Sequence, residues 1–273
     1  MDKNYRLYHG DCLEVMDNIP DKSVDMVLAD PPYGTTACKW DIIIPLDDMW
    51  KQLKRVIKKN GAIALFSSQP FTSVLVSSNW TMFRYEWIYN KSNASNFANC
   101  KKTPLKYHEN VLIFYSSPPT YIPQMQKREG GGEARNKSNK PHNRKKEQIC
   151  EITNILLKYR DTNKSKLKYP STIQKFNNKN PKDRGLHPTQ KPVALLEYLI
   201  KTYTKEKETI LDFCMGSGST GKAAQNLNRK FIGIEKDPKY FKIAQERLKP
   251  HPLLKEEIKN NKVIQYRQST MFA

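Results

Sequence analysis

Short apolar runs alternate along most of this chain with segments whose apolar positions recur every three or four residues. The runs are YRLYHGD (5–11), VDMVLAD (24–30), AIALFSS (62–68), YEWIYN (85–90) and ENVLIFYS (109–116), each the length of a buried strand. Between the second and third, PLDDMWKQLKRVIKKNG places Met49, Leu53, Val56 and Ile57 on one helical face, with Gly61 as a stop just past its end. The alternation resumes near residue 187. KPVALLEYLIKTYT stacks Leu195, Leu199 and Tyr203 on one face behind Pro192. Then follow strand TILDFC, a glycine turn with a helix to about Leu227, strand KFIGIE and helix DPKYFKIAQERL. Such alternation predicts an α/β fold with a mainly parallel sheet covered on both faces. Seven strands are expected, ending near Gly10, Ala29, Ser67, Asn90, Ser116, Cys214 and Glu235.

Residues 118–186 lose this rhythm. They hold a Gly-Gly-Gly run at 130–132, many Asn and Lys, and a single apolar patch, ICEITNILLKY. They also carry 17 Lys and Arg against 6 Asp and Glu, a surplus of 11 out of a whole-chain net charge of +20. A quarter of the chain therefore holds over half the excess charge, which points to a polyanionic partner. The expected organisation is a first half-domain (1–117), a basic insertion (118–186), a second half-domain (187–248) and a basic tail (249–273). No apolar run approaches the length of a membrane span, and the N-terminal residues lack an apolar signal region. The five cysteines are scattered without a C-x-x-C pair, which predicts reduced thiols in a cytoplasm, with no metal site.

Two stretches carry chemistry. Gly216 to Lys222 spell G-x-x-x-x-G-K, the opening of a phosphate-binding loop, but Ala223 stands where that loop needs a magnesium-binding hydroxyl. Glu235 closes the next strand, at the distance where an acid binds ribose hydroxyls in dinucleotide folds. A cofactor with a free ribose fits this pair better than a triphosphate. The second stretch is Asp30-Pro31-Pro32-Tyr33, at the end of an apolar strand.

At ADPPYG, HPTQKP (187–192), DFCMGSGST (212–220) and FIGIE (231–235) the sequence resembles the S-adenosylmethionine-dependent amino DNA methyltransferases. The order, tetrapeptide then basic region then glycine loop, is similar to their permuted β group. The resemblance implies a Rossmann-like methyltransferase domain with circularly permuted strand order and a basic target-recognition insertion. It implies Asp30, Pro31, Pro32 and Tyr33 as catalytic. It implies Asp11, Thr189, Lys191, Asp212, Gly216, Ser217, Gly218, Thr220 and Glu235 as the cofactor site, with no metal. Gly216 and Gly218 would cradle the methionine part, Glu235 the ribose, Asp11 the adenine ring, and Thr189 and Lys191 the methionine end. Asp11 reads equally as a helix N-cap before CLEVM, and His187 equally as structural. Cys214 departs from the family loop, where an aromatic usually stands. The partner implied is double-stranded DNA, and a homodimer is admitted.

The chemistry needs these residue types. An exocyclic amino nitrogen is a poor nucleophile because its lone pair is delocalised into the ring. A carboxylate and a fixed backbone carbonyl accepting its hydrogens draw it toward tetrahedral geometry, and methyl transfer then proceeds by positioning and electrostatics. The base must leave the duplex, and Tyr33 offers a face for it to stack on. Asp at the head of the tetrapeptide leans toward the 6-amino group of adenine, with the 4-amino group of cytosine as the near alternative. An inactive DNA-binding version of the fold would not need Asp30, Tyr33 and the glycines together. The amide-rich loop NKSNASNFANCKK (90–102), with Phe97, reads either as a plain connection or as a rim element that contacts a strand or fills the gap left by a flipped base.

Overall fold

The structure, a computed structural model, describes residues 4–36, 41–127, 167–177 and 190–249. In chain order the elements are β1 (Tyr5–His9), α1 (Cys12–Met16), β2 (Val24–Ala29), α2 (Leu46–Val56), β3 (Ile57–Ser67), α3 (Phe71–Ser78), β4 (Phe83–Ser95) and β5 (Lys106–Phe114). After the short strands β6 (Gln126–Lys127) and β7 (Leu167–Lys168) come β8 (Ile173–Phe176), α4 (Val193–Tyr203), β9 (Thr209–Asp212), α5 (Ser219–Asn226), β10 (Lys230–Glu235) and α6 (Pro238–Arg247). The chain forms two compact units, Met1–Ile122 with Thr172–Ala273, and Pro123–Ser171. Within the smaller unit β6 and β7 pair antiparallel.

The larger unit is built on an eight-stranded sheet in the order β1-β10-β9-β2-β3-β5-β4-β8. Strands β1, β10, β9, β2 and β3 run parallel, and β5 turns the direction by pairing antiparallel with β3 and β4. The expected seven strands are present. The eighth, β8, comes from within the stretch read as insertion: Ile173–Phe176 add in parallel to Ile88–Lys91 at the sheet edge, burying Gln174 and leaving Ile173 exposed.

Burial follows the two-residue period of a sheet covered on both sides. In β2, Val24, Val27 and Ala29 join a core with α1, α2 and α3, whereas Met26 and Leu28 join a second core with α4 and α5. Strand β3 splits the same way, Ile63 and Leu65 against Ala62, Ala64 and Phe66. Helix α2 buries Met49, Trp50, Leu53 and Val56 and carries Asp47 and Asp48 in its first turn and Lys54 and Arg55 in its last, as the helix dipole favours.

That helix is shorter than its periodicity suggests. It ends at Val56, and Ile57 is already extended as the first residue of β3. Ile57 pairs with Val24, Lys58 reaches Asp25, and the register then shifts so that Met26 meets Ala62. Gly61 is therefore a glycine of the strand irregularity rather than a helix stop. A Cβ there would collide with the Ile57 side chain and lie 2.9 Å from the Asp25 carbonyl. The patch ICEITNILLKY and the tail beyond Lys249 lie outside the described residues.

Leu53 is fully buried between α2 and the sheet. Leu53→Ala is expected to lower the unfolding free energy by roughly 2–5 kcal/mol, read from urea denaturation.

Candidate active site

Parallel pairing of β2 with β9, Met26 with Ile210 and Val27 with Leu211, brings the two chemical stretches of the sequence to one sheet edge. Asp30 leaves β2 one residue past its end, and Asp212 is the last residue of β9. Glu235 ends β10, whose other neighbour β1 leads through Gly10 to Asp11. Four adjacent parallel strands thus each deliver a carboxylate to the same edge.

Their environments differ. Asp11 caps α1 through the Leu13 amide at 3.0 Å and pairs with Lys236 at 3.0 Å. Burial works to raise its pKa, but Lys236 and the amide outweigh it, and the net shift is downward. Asp212 is buried and is pushed up to about 7, chiefly by that burial and also by the charges of Asp30 and Glu235; the Thr220 side chain and the Cys214 amide oppose this. Glu235 is raised too, by burial first, although its oxygens accept from the Gly216 and Asp237 amides at 2.8 Å each.

The glycine turn is held from several sides. The Met215 amide bonds to the Ile234 carbonyl, and Gly216 and Gly218 adopt φ of +52° and +77°. Gly218 is the N-cap of α5 and supplies no side-chain cap, so the first amides of that helix face the sheet edge bare. A Cβ on Gly218 would lie 3.1 Å from that of Ala244, so glycine also permits close approach to α6. Ser217 and Ser219 accept from Arg247 at 3.5 and 2.9 Å, and Thr220 is on Asp212. Lys222 bonds to Gln225 on its own helix at 3.0 Å rather than arching over the loop.

At the tetrapeptide, both oxygens of Asp30 are engaged. Oδ1 accepts from the Tyr33 hydroxyl and Oδ2 from Lys191 Nζ, both at 2.5 Å. Lys191 Nζ also lies 3.2 Å from Glu109 Oε2, a charge contact without the alignment of a directed hydrogen bond. Its ammonium sits over the Phe66 ring at 5.1 Å and the Tyr33 ring at 6.0 Å. Burial would lower its pKa, yet Asp30 and Glu109 reverse the sign and raise it. Glu109 is held down in turn: burial opposes ionisation, and Lys191 and Lys91, the latter at 3.0 Å, outweigh it. Tyr33 stacks on Phe71, ring centroids 5.4 Å apart, and its hydroxyl is raised by burial and by the neighbouring carboxylates.

Of the residues expected from sequence, Asp30, Tyr33, Asp212, Gly216, Gly218, Glu235 and Asp11 gather along this edge. Lys191 also reaches it, with its ammonium on Asp30. Thr189 and His187 lie outside the described residues. Two residues escaped the sequence reading. Asp41 is nearly buried and its carboxylate accepts five hydrogen bonds. The amides of Tyr33, Gly34, Thr35 and Thr36 donate at 2.7–2.9 Å, and the Thr36 hydroxyl at 2.7 Å. Glu109 is the other. Its only sequence signal is an acid heading the apolar run ENVLIFYS, and that of Asp41 an acid soon after Gly34-Thr35-Thr36.

Acidic groups at the carboxyl ends of adjacent parallel strands, beside a glycine turn and a helix N-terminus, define a nucleotide-type ligand site of the Rossmann-like class. The chain belongs to the DNA methylase family of N6 and N4 enzymes, whose family model matches residues 24–246. The type II methyltransferase M2.LlaDCHI of Lactococcus lactis subsp. cremoris is 28% identical over 271 residues, covering 90% of either chain. The DNA adenine methyltransferase YhdJ of Escherichia coli K12 is 29% identical over 264 residues, covering 89% of this chain and 82% of its own. Among solved structures, the M1.HpyAVI–SAM complex superposes with a TM-score of 0.58 at 24% identity, over 90% of this chain and 100% of that one. The cytosine-N4-specific PvuII methyltransferase gives 0.64 at 16% identity, over 94% and 91%. These structures share the fold.

Two outcomes follow from the geometry. Asp41→Asn leaves one acceptor oxygen for five donors and is expected to lower the unfolding free energy by about 2 kcal/mol in urea. Because Asp212 keeps a proton in the folded state that the unfolded chain releases, its contribution makes stability fall as pH rises from about 4 to about 7 and stay flat above. Asp212→Asn is expected to remove that component, seen by comparing urea midpoints of the two proteins at pH 5 and 7.5.

Proposed function

We propose that this protein transfers a methyl group from S-adenosylmethionine to the 6-amino group of an adenine flipped out of duplex DNA. The observation that carries the reading is Asp30, whose two oxygens both accept strong donors beside the acidic strand edge and the glycine turn. A carboxylate so placed accepts amino hydrogens. The adenine assignment is favoured by the relative named as a DNA adenine methyltransferase.

The site suits the cofactor. Four carboxylates would repel a triphosphate, whereas a sulfonium and an ammonium are welcome among them, and the bare N-terminus of α5 suits a carboxylate. When bound, S-adenosylmethionine supplies an electrophilic methyl group on a cationic sulfur. Glu235 and Asp11 would hold its sugar and ring, Gly216 and Gly218 its methionine part, with Ser217 and Thr220 fixing the turn and Thr189 completing the set.

The chain's own groups do the rest. Tyr33, backed by Phe71, presents a ring for the base. As the amino group arrives, Lys191 yields Asp30 Oδ2 and stays with Glu109, so its charge remains paired throughout. Pro31 and Pro32 hold the backbone beside Asp30 stiff and aim a carbonyl at the second amino hydrogen. Asp30 accepts the proton that the nitrogen sheds after transfer. The basic stretch 118–186 supplies phosphate contacts and reads the target.

The test incubates the protein with unmethylated plasmid DNA and methyl-labelled S-adenosylmethionine and identifies the modified nucleoside by mass. Labelled 6-methyladenine is expected. Asp30→Ala should lower the rate by about 10³-fold, roughly 4 kcal/mol of barrier, with cofactor affinity kept within a few-fold. Labelled 4-methylcytosine would overturn the base assignment, and no label in any base would overturn the reaction.

A further inference from the structure

Register places the β4–β5 hairpin over the rim of this site. Ser67, the last residue of β3, pairs with Asn110, so the antiparallel β5 extends back past the sheet edge from Glu109 to Lys106. Strand β4 accompanies it, Asn90 opposite His108 and Ser95 opposite Lys106, with residues 91–94 bulged between. The hairpin base is tied to the reacting carboxylate by an unbroken series of contacts. Lys91 bonds to Ser95 and Glu109 at 3.0 Å each, Glu109 meets Lys191, and Lys191 meets Asp30. Three residue steps lead from Glu109 to Lys106, so the tip stands roughly 10 Å beyond the site. The major groove is about 8.5 Å deep and admits a two-stranded ribbon.

The tip is clamped although it is exposed. Asn96, at φ +63°, accepts from the Lys106 amide at 2.9 Å and donates to the Pro104 carbonyl at 3.2 Å and to Thr103 Oγ1 at 3.3 Å. The Asn99 carbonyl accepts from the Lys102 and Thr103 amides at 2.8 and 2.9 Å. On this fixed turn Phe97 is 65% exposed. Lys101 and Lys102 follow it in the same turn and Lys106 heads β5, while Glu109 is the one acid between residues 90 and 110. An exposed apolar ring on a hydrogen-bonded, lysine-bearing turn, at groove depth from a carboxylate that needs an extruded base, fits a duplex and not an apolar protein partner. Proteins that open base steps insert side chains of this kind.

Resting on the methyltransferase reading, we propose that Phe97 is the wedge that enters the base stack where the target adenine leaves it, with Lys101 and Lys102 on the flanking phosphates. Phe97 acts on the duplex and positions the base for Asp30; it takes no part in the chemical step.

The test first maps the target sequence by sequencing plasmid DNA that the wild-type protein has methylated, then uses a duplex carrying that sequence. Phe97→Ala is compared with Trp80→Ala, a 69% exposed aromatic before the opposite end of β4. Phe97→Ala is expected to lower the single-turnover methylation rate about tenfold and to abolish the fluorescence rise of 2-aminopurine at the target position. Cofactor affinity and melting temperature should match wild type, since the ring is exposed. A mismatch opposite the target, which lowers the cost of extrusion, should restore most of the rate. Trp80→Ala should behave as wild type. A wild-type rate for Phe97→Ala would overturn the wedge, as would a loss that the mismatch does not restore or that Trp80→Ala shares. Failure of the wild-type protein to methylate any DNA would instead overturn the underlying reading.

Discussion

Two residue pairs, Met26 with Ile210 and Val27 with Leu211, join the halves of the sheet. The site depends on them. The tetrapeptide and the glycine turn are some 180 residues apart in sequence, and nothing local brings them together. Because the strands run parallel, both ends emerge on the same side, and a one-residue slip would turn every side chain of one strand to the wrong core. The alternation of Met26 and Leu28 into one core and Val27 and Ala29 into the other fixes that register. Chemistry at this edge is therefore a product of hydrophobic packing on both faces.

The same edge concentrates negative charge and answers it unevenly. Asp11 is paired with an exposed lysine, Asp30 with a buried one, and Asp212 and Glu235 with hydrogen-bond donors alone. The last two are accordingly raised, one to about 7. Burial supplies the desolvation and the neighbouring acids the repulsion, so a cation arriving at this edge relieves both. Near Asp30 the arrangement is reversed, with Glu109 and Lys91 extending the ion pair so that no charge is left isolated.

Much of this was legible in the chain. Strand spacing gave the architecture, and the acids at strand ends were named because an acid closing an apolar run is locally conspicuous. What stayed hidden depended on distance in sequence or on competition between neighbours. Glu109 and Asp41 serve partners that no periodicity connects to them. Lys191 was named for the methionine end of the cofactor, and its contacts with Asp30 and Glu109, 161 and 82 positions away, left no local sign in the sequence. The end of α2 was misplaced because Ile57 continues the helical face but gains more by pairing with Val24. Strand β8 left no signal because its four residues, Ile-Gln-Lys-Phe, do not alternate, and the one buried among them is Gln174.

The larger unit anchors its own two residues that flank the smaller one in sequence. Ile122 donates to the Thr202 carbonyl at the end of α4, and the Thr172 carbonyl accepts from Ile88 at the sheet edge, both at 2.8 Å. Residues 123–171 therefore lie between two anchored positions, and among their described residues none belongs to the large sheet. A lineage built on this plan is free to exchange that whole stretch, in length and in sequence, while the sheet of the larger unit is inherited unchanged. Variation in the one is thereby uncoupled from preservation of the other.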